Sequence, residues 1–185
     1  MNHRLQLFDS PETLAASVSS FLIDGYNNGG NLLIAAKPRH RTDILAELRR
    51  AGCFVDNASS NQRLVALDAG EILERITRNG AVEERLFRGL ASNIVERLVS
   101  TGPLFVYGEV VELLAEQEDF IGARRLEEMW NRLGEKFRFS LLCGYSSAHF
   151  TGRAARTPLK EICATHSHSS ATQDDTLGRW LLATA

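Results

Sequence analysis

Hydrophobic and polar positions along the chain fall into two kinds of segment that alternate. Five short stretches are apolar nearly throughout: His3–Phe8, Asn31–Ala36, Arg63–Asp68, Pro103–Glu109 and Phe139–Tyr145. Between them the apolar positions recur every three or four residues, the period of a helix with one buried face. Leu14, Val18, Phe21 and Leu22 form one such stripe, introduced by Ser10 as a cap and Pro11 as a first helical residue and ended by Asn27-Asn28-Gly29-Gly30. Leu86, Leu90, Ile94, Val95 and Leu98 place a second on a helix over 83–100. Further helices are expected over 42–50, 110–116, 120–136 and 159–163. In the helix over 120–136, Leu126, Met129, Trp130 and Leu133 face the core, while Arg124, Arg125, Glu127 and Glu128 read as a solvated charged face.

Strands that are apolar along their whole length are buried on both sides. Alternating with helices, they imply an α/β fold: a mostly parallel sheet with helices on both faces, in three layers. Ligands of such sheets bind beyond the carboxyl ends of the strands. The residues expected there are Lys37 and Arg39, Asp68, Glu109, and Tyr145 with Ser146. Asp68 precedes a helix start and reads as its cap. Glu109 stands where a strand passes into a helix, so it can face a ligand or cap that helix.

The turn after the second strand, Ala-Lys-Pro-Arg-His-Arg-Thr-Asp, holds the place of a phosphate-binding loop. It has no glycine with which to wrap phosphates, Pro38 removes one amide donor, and no Lys-Ser or Lys-Thr ends it. Lys37, Arg39 and Arg41 could still meet an anion at the positive end of the following helix.

Length and composition narrow the rest. One domain is expected in 185 residues, drawn over 1–168, followed by a mobile Ser/Thr/Asp-rich tail over 169–185 that ends in a short helix at Leu-Gly-Arg-Trp-Leu-Leu. The formal net charge is -2, which gives no electrostatic reason to expect direct nucleic-acid or membrane binding. No apolar run approaches the roughly 20 residues of a bilayer span, the N-terminus lacks the apolar core of a secretory signal, and three cysteines do not make a disulfide framework. A cytoplasmic protein is the expectation. The densest chemistry is Ile-Cys-Ala-Thr-His-Ser-His-Ser. Cys163, His166 and His168 are metal-capable, with Cys143 or Glu109 as a fourth ligand, although no known zinc spacing is present.

Taken in order, LQLFDSPETLAASVSSFLIDGYNNGGNLLIAAKPRHRTDIL, RLVALDAGEIL, FVYGEVVELLAEQEDFIGARRLEEMWNRL, FSLLCGYS and EICATHSHS resemble the MEDS domain, the methanogen/methylotroph sensory domain. The resemblance implies a fold similar to RecA and the circadian-clock KaiC ATPase with a degenerate phosphate loop. It also implies a sensory role, with small hydrocarbon derivatives as ligands and a histidine kinase or transcription regulator as signalling partner. The expected protein is therefore a non-catalytic sensor whose small ligand sits near Lys37, Arg39, Glu109, Tyr145, His166 and His168. It would signal through a protein partner or a homo-oligomer. Two rivals stand beside it: a nucleotide-binding protein or weak ATPase using Lys37, Arg39 and Glu109, and a metal or redox sensor built on Cys163, His166 and His168. No cofactor is named by these residues.

Overall fold

In a computed structural model, which describes residues 1–53 and 63–185, the strands are β1 (Asn2–Phe8), β2 (Asn31–Ala36), β3 (Leu64–Asp68), the short β4 (Thr77–Arg78) and β5 (Ala81–Val82), β6 (Leu104–Gly108), β7 (Ser140–Ser146) and β8 (His168–Ala171). The helices are α1 (Pro11–Asn27), α2 (Pro38–Arg50), α3 (Ala69–Ile76), α4 (Glu84–Val99), α5 (Val110–Glu116), α6 (Phe120–Phe137), α7 (Arg156–Ala164) and α8 (Thr176–Thr184). Six strands make one sheet in the order β3-β2-β6-β7-β1-β8, every pair parallel, and β4 and β5 form a separate antiparallel ribbon. The α/β three-layer expectation holds.

The period-two alternation of each strand sorts its side chains between two cores. Leu32, Ile34, Ala36, Tyr107, Leu142 and Phe8 pack with α1 and α2 on one face. Leu33, Ala35, Val106, Cys143, Tyr145, Leu5 and Leu7 pack with α3–α7 on the other. All six residues of β2 are buried, which explains why this strand shows no polar alternation.

Local chemistry sets the helix ends. Ser10 Oγ accepts from the Thr13 amide and Pro11 follows it at the start of α1. Asp68 Oδ1 accepts from the amides of Gly70 and Glu71, so Asp68 is a cap, as its sequence context suggests. α2 starts at Pro38, four residues before the expected Thr42, because Pro supplies a helical φ and needs no amide partner at that position.

The segment expected to be a mobile tail contributes β8, which crosses the 168/169 boundary drawn from composition. It pairs with β1 from Arg4↔His168 to Leu7↔Ala171, and Ser170 Oγ adds a bond to the Leu5 carbonyl. Strand pairing here comes from the backbone and hydroxyls, so composition hides it. α8 then docks through buried Asp175, which accepts from Ser147 Oγ and, at 2.6 Å, from the Gly178 amide. No helix among the described residues is long and apolar enough to cross a membrane.

Candidate functional site

Two buried carboxylates organise the polar chemistry, one on each face of the sheet. Glu109 ends β6, its amide donating to the Ala35 carbonyl at 2.8 Å and so continuing the β2–β6 ladder by one residue. Its side chain is fully buried and accepts three hydrogen bonds, each 2.6 Å long, from the Tyr107 hydroxyl, His40 Nδ1 and the Lys37 amide. Lys37 is the N-cap of α2 and His40 lies in its first turn. The positive end of α2, where a phosphate-binding fold would hold its phosphate, therefore holds the protein's own carboxylate.

The next turn of α5 extends this network. Buried Glu112 accepts from the Ser146 amide at 2.9 Å and lies 3.0 Å from His149 Nε2. Lys37 Nζ lies 3.5 Å from Glu112 and 2.9 Å from Glu116. The hydrogen bond to Glu112 is the main cause that raises the His149 imidazole above its usual value. Burial opposes the charge on Lys37, but Glu116, Glu112 and Glu109 outweigh it and raise the ammonium. The hydrogen bond from Lys37 lowers Glu116 in turn. Each basic side chain here already has a carboxylate partner.

Glu127 projects from α6 against the opposite face. It is 0% exposed, as is the His166 side chain, and His3 and Cys143 are almost equally buried. Glu127 Oε2 lies 3.1 Å from His3 Nε2 and 3.2 Å from Cys143 Sγ, and His3 Nε2 lies 3.4 Å from that sulfur. Oε1 accepts from the Tyr145 hydroxyl at 2.7 Å and lies 3.3 Å from His166 Nε2, which is not aligned as a hydrogen bond. Burial would raise the Glu127 carboxyl, but His166 and His3 hold it well below the carboxylate range. Burial, reinforced by Glu127, pushes the Cys143 thiol and the Tyr145 phenol well upward.

The six residues expected around one crevice thus divide. Lys37 and Glu109 meet on the α2 side, while Tyr145 and His166 meet around Glu127 on the α6 side. Arg39 joins neither: its side chain is 74% exposed, with a guanidinium nitrogen 3.8 Å from Glu12. His168 is exposed on the edge strand. Of the Cys163–His166–His168 trio, only His166 enters the one group of three or more metal-capable side chains among the described residues, which comprises His3, Glu127, Cys143 and His166.

Several partners escaped the sequence reading. Glu127 is not on a solvated face; it lies four residues after Ala123 and three before Trp130, both buried, so the helical period carried the signal. His3 shares the strand face of Leu5 and Leu7. His40 was visible only as part of a basic turn, and nothing in the sequence singled out Tyr107, Glu112 or His149.

A third feature is apolar. Between the sheet and α3–α6 lies a cavity of about 30 Å³ whose walls include Leu33, Ile76, Phe87, Ala91, Ile94 and Trp130, with no polar surface. Ile72, Leu90 and Ile94 around it are only partly buried, so the cavity reaches toward the surface between α3 and α4.

No curated protein matches this chain by sequence. The family model described as MEDS, the MEthanogen/methylotroph, DcmR Sensory domain, matches residues 2–167, nearly the whole folded unit, and the chain belongs to that family.

Proposed function

We propose that this sensory domain is a non-catalytic module that detects a small, weakly polar molecule in the apolar cavity beneath α4. The observation that carries the reading is the wall of that cavity, which is hydrocarbon and aromatic throughout. Apolar cavities stay dry and take apolar guests. At about 30 Å³ the space suits something near the size of water. A larger guest requires α4 or α3 to move outward. That requirement supplies the signal: a ligand that binds only the opened arrangement shifts the population toward it. The moved helices would then be read by a kinase or transcription regulator, or by a second copy of the chain, in a cytoplasmic setting.

The absence of catalysis is proposed from the other face. A RecA- or KaiC-like ancestry with a degenerate phosphate loop accounts for a helix N-terminus at that position. Glu109 now fills it, and Glu112 and Glu116 add negative charge around Lys37. A nucleotide phosphate would have to displace a buried carboxylate of its own sign.

Calorimetric titration and thermal unfolding with dichloromethane and short haloalkanes test the reading, with ATP–magnesium alongside. Saturable haloalkane binding is expected. At a hundred times Kd it adds about 2.7 kcal/mol, a rise in Tm of about 5–11 °C for a chain this size. Ala91→Leu, which fills the cavity, should abolish the effect. Haloalkane binding untouched by Ala91→Leu, or ATP–magnesium binding that Lys37→Ala removes, would overturn it.

A further inference from the structure

The Glu127 cluster has a property that the sensory reading does not use. Its two histidines are oriented by their outer nitrogens. Asn131 Nδ2 donates to the Thr165 carbonyl at 2.8 Å, which turns Asn131 Oδ1 toward His3 Nδ1 at 3.0 Å. An amide oxygen only accepts, so His3 carries its proton on Nδ1. His166 Nδ1 lies 2.7 Å from the Ile162 carbonyl, another pure acceptor, which fixes the same tautomer. In a neutral ring Nε2 is then a lone pair; in a protonated ring Nε2–H faces the carboxylate. Burial opposes the charge on His166, but Glu127 outweighs it and raises the imidazole above its usual value. Both Nε2 atoms point at the Glu127 carboxylate, itself only an acceptor, and His166 Nε2 has no aligned hydrogen-bond partner although it is fully buried. Two imidazole nitrogens and a thiol that converge on a buried carboxylate are joined either by protons or by a metal ion in their place.

We propose that His3, Glu127, Cys143 and His166 bind one divalent transition-metal ion of the zinc class. The four donor atoms lie within 4.8 Å of one another. His3 Nε2, Cys143 Sγ and Glu127 Oε2 are separated by 3.1, 3.2 and 3.4 Å, and His166 Nε2 lies 3.3 Å from the other carboxylate oxygen, Oε1. A tetrahedral zinc site with its usual bond lengths requires about 3.4–3.6 Å between neighbouring N, O and S ligands, so the His3, Cys143 and Glu127 atoms are near that spacing and the widest pair, within 4.8 Å, has to draw in. The mixed N, O and S donor set suits zinc, cobalt or ferrous iron rather than magnesium or calcium. The outer shell is of the kind that holds metal-binding histidines: each imidazole is held through Nδ1 by a carbonyl-type oxygen, and Tyr145 donates to the carboxylate. On binding, the Cys143 thiol proton leaves to water. The resulting thiolate and the Glu127 carboxylate neutralise the dication, and no net charge stays buried.

Four protein ligands close the site, which marks it as a clamp rather than an open catalytic centre. The clamp joins the first strand, β7, α6 and the turn that leads into β8, segments far apart in sequence. It is independent of the proposed haloalkane site and stands or falls separately.

The full chain, free of any affinity tag, should be stripped with chelator under reducing conditions and titrated with cobalt and then zinc. One equivalent of cobalt is expected, with tetrahedral visible bands and a thiolate-to-cobalt charge-transfer band, both erased by zinc. Cys143→Ser should remove the charge-transfer band, and His166→Ala should weaken zinc binding at least tenfold. Cys163→Ser and His168→Ala should change neither. If the Cys143 and His166 variants do not fold, X-ray absorption of the wild-type zinc protein decides, with one sulfur and three N/O neighbours expected. Absence of saturable binding, a metal shell without sulfur, or binding lost through Cys163→Ser or His168→Ala instead would overturn the site.

Discussion

Replacement of Glu109 tests whether the carboxylate is a structural substitute for phosphate or a group held ready for a ligand. Glu109→Ala removes the acceptor shared by the Tyr107 hydroxyl, His40 Nδ1 and the Lys37 amide. Tyr107 is fully buried and cannot turn to solvent. A buried donor left without a partner costs about 1–3 kcal/mol. Two such donors, with some relief as His40 reaches water, give a loss of about 3–5 kcal/mol. At about 2–4 °C per kcal/mol for a chain this size, Tm should fall by roughly 6–20 °C. The variant also empties the positive end of α2, and sulfate or phosphate should then enter it. The assay is thermal unfolding of wild type and variant across a sulfate series at constant ionic strength. Sulfate should restore part of the lost Tm in the variant and do nothing specific to the wild type. Residues kept for a ligand are commonly strained, and their removal stabilises. A variant with unchanged or raised Tm would therefore refute the structural substitution, and a variant that sulfate does not rescue would refute the placement of Glu109 in an anion site.

Three further outcomes follow from the packing and the charges. Gly25→Ala would put a Cβ into the Phe105 ring, and such overpacking should cost about 1–3 kcal/mol in urea unfolding. Asp175→Ala unhooks α8 by removing the acceptor of the Ser147 hydroxyl and the Gly178 amide; limited proteolysis should then cut before Thr176 while the rest of the chain stays folded. For His149 the folded value lies above 6.5, so its bond to Glu112 adds stability below about that pH and the contribution fades as pH rises through the raised value. The difference in unfolding free energy between wild type and His149→Ala should be largest below about pH 6.5 and shrink as pH rises above it; a difference that grows with pH would contradict the assignment.

The fold was legible because five of the six sheet strands are apolar nearly throughout in sequence, and that pattern admits few architectures. β8 was not, because a Ser-rich edge strand is held by backbone and hydroxyl bonds that leave no hydrophobic trace. The site was half legible. Glu109 and Lys37 follow central strands, so strand order alone brings them together. Glu127 was hidden because Leu126-Glu127-Glu128 looks like a stripe edge followed by a charged face, and a shift of one residue around the helix separates a buried carboxylate from one paired with Arg124. His3 lies 128 residues from Asn131 in sequence, and no local pattern encodes a contact of that range.

The two buried carboxylates answer the desolvation problem differently, and that difference separates the two faces. A charge taken out of water must be met by donors or by an opposite charge. Around Glu109 every partner is a donor supplied by the chain: an amide, a phenol and an imidazole whose ring nitrogen meets Oε1 at 2.6 Å. Those bonds tie the basic turn after β2 into the scaffold. Around Glu127 the Tyr145 hydroxyl and the Cys143 thiol donate, while the Nδ1–H groups of His3 and His166 are spent on the Asn131 side chain and the Ile162 carbonyl, leaving their Nε2 atoms facing the carboxylate. On that face one dication can take the place of the protons that otherwise join the imidazoles and the thiol to the carboxylate. Chemistry brought in from outside the chain therefore belongs on the α6 face, across the sheet from the basic turn after β2.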